Sequence, residues 1–166
     1  MIQTKNLLTA EMTEWLQKSI ASELYASHLY KHIANQMQFV GFFGAQKYWL
    51  KESADELTHY QIHVDFMNDM GTVAQLPAIQ PIKENISTIE DALAVAYNTE
   101  LALLNQYKEF YKIAEEQDCI VDVYLHQFIE IQRKAVGEYG DLIARYTRCG
   151  KNEAAILEFD EYLGEQ

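Results

Sequence analysis

The sequence predicts an all-α protein: four long helices in a bundle, one long crossover, and a short fifth helix at the C-terminus. Three observations lead there. Apolar residues recur at alternating steps of three and four along four long stretches. Only two prolines occur in 166 residues, Pro77 and Pro81. Glycine is scarce, and no alternating run rich in Val, Ile and Thr marks a strand.

The first helix is expected from about Thr9 to Gln38, and the second from about Phe43 to Met70, with Gly71 as its stop. The third opens at Ser87-Thr88-Ile89-Glu90, which reads as a capping box, and runs to about Glu116. The fourth covers about Asp118 to Thr147, loosened at Gly137 and Gly140, and the fifth about Asn152 to Leu163, with Asn152 as its cap. Short joints near Gly41 and Gln117 make helices one and two, and three and four, antiparallel pairs. Gly71 to Ile86 is different: sixteen extended residues reach roughly 50 Å, and a 28-residue helix is roughly 42 Å long. That segment can travel the whole bundle, so helix three starts beside helix two and runs parallel to it.

Length and composition fit a single domain, residues 1–166, with 49% hydrophobic residues for its core. The formal net charge of −12, with no basic tail or cluster, disfavours nucleic-acid binding. Met1 to Leu8 lacks the basic and apolar blocks of a secretion signal, and no apolar run is long enough to cross a bilayer. Cys119 and Cys149 fall near opposite ends of one predicted helix, roughly 45 Å apart, too far for an internal disulfide. A cytoplasmic, reducing location is expected.

Candidate chemistry lies on the helix stripes. Helix one reads Leu16, Ile20, Glu23, Ser27, Tyr30, Ala34, Met37; helix two reads Trp49, Glu52, Glu56, His59, His63, Phe66, Met70. Helix three reads Ile89, Leu93, Ala96, Glu100, Leu103, Tyr107, Phe110, Ala114; helix four reads Val121, Leu125, Phe128, Gln132, Ala135, Tyr139, Leu142, Tyr146. Glu56 and His59 are one turn apart on one face, a hard oxygen and a borderline nitrogen aimed at one point. Glu23, Glu100 and Gln132 are polar intruders at a similar mid-helix depth. Each alone fits a paired boundary carboxylate, a solvated face or a core amide, and Tyr30 alone fits the core. Together they point to a metal, because three carboxylates at one level repel each other unless a cation lies among them. Glu52 and His63, a turn away on either side, are left as supporting or surface groups.

These residues resemble the non-haem ferritins over essentially the whole chain. The resemblance rests on Glu23-Leu24-Tyr25 with Tyr30, Asp55-Glu56-Leu57-Thr58-His59, Glu100, Gln132 in Phe128-Ile129-Glu130-Ile131-Gln132, and the tail Ile156-Leu157-Glu158-Phe159-Asp160. It implies a ferritin-like bundle that oxidises Fe(II) with dioxygen or peroxide at a di-iron ferroxidase centre. Glu23 and His59 would hold one iron, Glu100 the other, and Glu56 would bridge them. Gln132 would orient solvent or peroxide near the second iron, and Tyr30 would hydrogen-bond the ligands and supply an electron. It also implies a homo-oligomeric shell of twenty-four subunits that stores ferric mineral. No haem is expected, since Ile131-Gln132-Arg133-Lys134 stands where haem-containing relatives carry a second Glu-x-x-His.

Further expectations follow from the resemblance. Ile131, Lys134 and Ala135 replace the helix-four acids that hold a third iron in many bacterial ferritins, so Asp55 should hold none. Asp122 would line a threefold channel, with Leu125 where animal heavy chains have a second acid. Ile156, Phe159 and Leu163 would find their apolar neighbours around a fourfold axis. Other functions fit less well. A shell subunit without oxidase chemistry would not need every ligand position filled. A DNA-protecting mini-ferritin or a rubrerythrin-like peroxidase lacks its marks here: a basic tail for the first, a second Glu-x-x-His and usually a Cys-x-x-Cys module for the second. A signalling bundle has no use for aligned carboxylates.

Overall fold

A computed structural model describes residues 5–166. It contains α1 (Ala10–Val40), α2 (Phe43–Asp69), α3 (Ile89–Gln117), α4 (Cys119–Thr147) and α5 (Glu153–Glu165), with no strand among the described residues. The architecture is the four-helix bundle with one long crossover and a short fifth helix that the periodicity predicts.

Local chemistry sets the helix ends. The Thr9 hydroxyl accepts the Met12 N–H and starts α1. Gly41, at φ 92°, takes the left-handed conformation that ends it, and Phe42 N–H reaches back to Met37 O at 2.9 Å. Asp118 accepts from Ile120 N and Val121 N to open α4, and Asn152 accepts from Ala155 N to open α5. The capping box of α3 lies one residue later than the sequence suggests. Thr88 is the cap, and Asp91 rather than Glu90 reaches back, accepting from the N–H of Ser87 and of Thr88 at 3.0 Å. The shorter Asp side chain spans that gap, which leaves Glu90 exposed. No break occurs in α4 at Gly137 or Gly140, where the apolar stripe keeps the helix intact.

The crossover explains how α3 comes to lie parallel to α2. It leaves the lower end of the bundle beside the start of α1, where Thr72 Oγ1 donates to Asn6 Oδ1 and Gln75 N donates to Gln17 Oε1 at 2.9 Å. It then climbs along α1, so that Glu84 meets the Tyr25 hydroxyl and its carbonyl lies 3.0 Å from His32 Nε2. α3 therefore begins at the top.

Helix five folds back on its own bundle. Phe159 and Leu163 are buried, Phe159 edge-on to Tyr146 of α4 with ring centroids 5.3 Å apart. The Asp160 carboxylate accepts Gly44 N at 3.1 Å and Ala45 N at 2.7 Å, satisfying free N–H groups at the start of α2. Two of the apolar positions that the sequence leaves in need of neighbours thus find them inside the subunit, because α5 docks on the N-terminus of α2; Leu157 is the apolar residue left outside.

The glycines of α2 and α4 should respond oppositely to substitution. A Cβ on Gly44 would stand 1.8 Å from Asp160 O, whereas one on Gly137 meets nothing within 4 Å. Gly137→Ala is expected to raise stability by about 0.5–1 kcal/mol, and Gly44→Ala to lower it by more than that as α5 is pushed away. Thermal unfolding of the two variants beside the parent checks this.

Candidate metal centre

The four inward stripes meet at mid-bundle. Every stripe residue of α1 and α3 is buried, including Glu23 and Glu100. Glu56 and Gln132 are buried as well, while His59 is partly exposed at the edge of the cluster. Helical periodicity places Glu23, Glu56 and Glu100 on three faces of one small space without help from any loop.

Glu23, Glu56 and His59 each offer a ligand atom, and these atoms lie within 4.8 Å of one another. His59 Nδ1 is the nitrogen that faces in, 3.1 Å from Glu56 Oε2 and 3.9 Å from Glu23 Oε2. Glu56 lies close enough to both Glu23 and Glu100 to perturb their pKa values, the place a bridging carboxylate would take. Tyr30 donates to Glu100 Oε1. Gln132 is fully buried, and neither end of its amide has a partner.

The unpartnered atoms say what the site fits. Glu23 Oε2 and Glu100 Oε2 are buried without a hydrogen bond, although the other oxygen of each accepts from a tyrosine. Stranding such groups in a core costs about 1–3 kcal/mol each, more for charged ones. A divalent cation would take up the two carboxylate oxygens, and the amide could orient a water beside it. A cleft of about 270 Å³ between α2 and α4 connects the cluster to solvent, with Asp55, Lys134 and Glu138 on its walls. Glu130 points elsewhere, exposed and bonded to Arg133 at 2.6 and 3.0 Å.

Burial dominates the electrostatics. It raises the pKa of Glu23, Glu56 and Glu100, and neighbouring carboxylates push in the same direction; the Tyr30 and Tyr107 hydroxyls offset part of the rise at Glu100 and Glu23. Burial thus favours the protonated form of each carboxyl while no cation lies among them.

Several supporting groups were not legible as such in the sequence. His63, left there as supporting or surface, is fully buried, bonded through Nε2 to the Tyr107 hydroxyl at 2.7 Å and through Nδ1 to the Tyr124 hydroxyl at 2.8 Å. Tyr107 in turn donates to Glu23 Oε1. Tyr139 donates to Glu52 Oε2 at 3.1 Å. One signal was available: Glu23 and Tyr30 on α1 share the seven-residue spacing of Glu100 and Tyr107 on α3. Leu125 is fully buried on the inner stripe of α4, where the helix-four periodicity puts it; the group one turn from Asp122 on the open face is His126, whose Nε2 lies 3.4 Å from Asp122 Oδ1.

Comparison with known proteins bears on the family and the fold. The family model for the ferritin-like domain matches residues 13–149. A probable bacterial non-heme ferritin-like protein of Haemophilus influenzae is 21% identical over 159 residues, 95% of this chain and 96% of the relative. Ferritin BfrB of Mycolicibacterium smegmatis is 28% identical over 150 residues, 87% of this chain and 80% of the relative. Among solved structures, an open pore ferritin from the archaeon Archaeoglobus fulgidus superposes with a TM-score of 0.93 at 21% identity, covering 98% of this chain and 99% of that one.

The empty centre should make the fold weaker as pH rises. A carboxyl whose pKa is raised in the folded state holds a proton there that the unfolded chain has released, so stability falls with increasing pH across that interval. His63 works the other way: burial lowers it to about 3, so its contribution is lost only as pH falls below its ordinary 6.5. Between pH 6.5 and about 8, the value to which burial raises Glu56, the carboxyl effect is no longer opposed by His63. The melting temperature of metal-free protein should decline over that window, with a shallower slope in Glu56→Gln, as pH-series calorimetry would show.

Proposed function

The chain belongs to the ferritin-like domain family, and we propose that it binds Fe(II) at the Glu23, Glu56 and His59 cluster with Glu100 beside it, oxidises it with dioxygen, and stores the ferric product inside a closed shell of its own copies. The family and the fold support iron storage. The observation that carries the oxidase reading is the set of buried carboxylate oxygens without partners around a Glu-x-x-His pair.

Each residue has a part in this reading. Glu23 and His59 hold one substrate ion and Glu100 the other, while Glu56 reaches both. Oxygen ligands with one imidazole suit Fe(II) and stabilise Fe(III) still more, since the added charge is met by carboxylates in a medium of low polarity. Each Fe(II) gives one electron to dioxygen. Gln132, a neutral amide with free donor and acceptor, orients the oxygen species or water beside the Glu100 ion. Tyr30 holds Glu100 and lies close enough to supply an electron through it. The cleft beside Asp55 and Glu138 gives ions and product a route between the centre and solvent. Its wall carries Lys134, whose charge opposes a third cation there. No haem, nucleic acid or membrane has a part in this reading, and the reduced cytoplasm is its setting.

Assembly is supported by the apolar surface. Phe39, Phe43, Val73, Leu76 and Val123 are more than 60% exposed on the single subunit, and such groups call for cover by neighbouring copies. A shell of twenty-four is the expected form. Light scattering at micromolar concentration should report a mass many times that of the 19.2 kDa chain; a monomer or dimer would reject the shell.

Aerobic Fe(II) addition followed by ultraviolet-visible absorbance tests the chemistry. The parent should develop ferric absorbance faster than buffer alone. Glu56→Ala removes the group that reaches both ions and should slow the reaction at low loading by about tenfold or more, with the shell intact. Equal rates would reject the assignment.

A further inference from the structure

Tyr107, His63 and Tyr124 form a second arm of polar groups inside the bundle, outside the ligand set. Tyr107 and His63 are fully buried, where apolar side chains would pack at lower cost, and Tyr124 is partly buried at the end of the arm. They are matched only by one another and by Glu23. The ring of His63 is stacked 4.0 Å from Phe128, and Tyr124 is stacked 3.6 Å from Phe66, so neither is free to turn.

The direction of the chain follows from counting donors. A carboxylate that binds a cation only accepts, so Tyr107 donates to Glu23 Oε1. The Tyr107 oxygen then accepts from His63, which requires the proton on Nε2. Burial keeps the imidazole neutral, so Nδ1 is an acceptor and takes the Tyr124 hydroxyl. Every donor is used once, and the chain ends on the carboxylate.

The arm mirrors a contact on the other side of the centre. Tyr30 of α1 donates to Glu100 of α3, and Tyr107 of α3 donates to Glu23 of α1. In both helices the tyrosine follows its glutamate by seven residues, two turns along the same face. Because α1 and α3 run in opposite directions, equal spacing brings each tyrosine level with the other helix's glutamate. In each glutamate Oε1 is occupied and Oε2 is left open.

Resting on the iron-site reading above, we propose that Tyr107, braced by His63 and Tyr124, is the positioning residue for the Glu23 half of the centre: it occupies Oε1 and presents Oε2 alone to the incoming cation. Tyr30 does the same for the Glu100 half. Groups that orient a ligand in this way typically govern metal affinity by about 10–100-fold.

Co(II) binding to metal-free protein tests this without turnover, read by visible absorbance and calorimetry. The parent should bind two Co(II) per subunit. Tyr107→Phe, which removes one oxygen from a fully packed ring, should weaken one site by about tenfold or more and alter its absorption band, leaving the other site as in the parent; Tyr30→Phe should weaken the complementary site. His63→Leu should weaken the same site as Tyr107→Phe, and His63→Gln, which restores an N–H near the Tyr107 oxygen, should recover part of the loss. Scattering and thermal melting show that each variant is folded. A Tyr107→Phe protein that titrates like the parent overturns the positioning role, and unchanged affinity in His63→Leu overturns the brace. A parent that binds no Co(II) overturns the iron-site reading and this inference with it.

Discussion

Three carboxyl groups meet in the dry middle of the bundle, and the cost of holding charge there governs how the rest is built. Each of Glu23, Glu56 and Glu100 loses its water on folding and faces the other two at short range. Two states would relieve that cost: protons on the carboxyls, or cations between them. A site that exchanges protons for cations must be rigid, or the side chains would swing to water instead. Rigidity comes from the large side chains packed around the cluster, among them Tyr30, Tyr107, Phe128 and Tyr139, which leave the glutamates few other directions.

The topology follows from the same need. The two tyrosine-to-glutamate contacts between α1 and α3 require those helices to run in opposite directions, while α2 must stand beside both to deliver Glu56 and His59. Only a chain that returns to the top before starting α3 satisfies this. The crossover does so by laying Thr72 to Glu84 along α1, held at Asn6, Gln17, Tyr25 and His32. The loop is long because of the geometry of the centre it serves.

Much of this was legible in the sequence, for a physical reason. A lone carboxylate on an apolar helix face is costly, so Glu23 and Glu100 stand out at once, and the stripes that carry them are buried residue for residue. His63 and Tyr107 do not stand out. Both have an apolar body and a polar tip, so from its own helix alone Tyr107 reads as core and His63 as a supporting or surface group. Their role depends on the register of α2, α3 and α4 against each other, which periodicity within one helix does not contain. Phe159 shows the same limit from the opposite side. The resemblance gives it neighbours around a fourfold axis, and packing within the subunit already buries it, which α5 alone does not reveal.

The asymmetry of the two halves is what the shared spacing leaves unexplained by itself. Tyr30 reaches Glu100 with no second polar group fixing its hydroxyl other than the carboxylate, and its ring lies 6.3 Å from that of Tyr139. Tyr107 has His63 and Tyr124 behind it. The Glu23 half also holds the single imidazole, His59, whereas the Glu100 half has only oxygen donors and the free amide of Gln132 nearby. A nitrogen donor and a carboxylate braced from behind make the Glu23 side the stiffer of the two; the Glu100 side pairs a carboxylate with fewer supports and an amide without partners. Two nearly identical helix patterns thus build two unequal positions, and the inequality is set by the buried histidine one turn beyond the Glu-x-x-His pair.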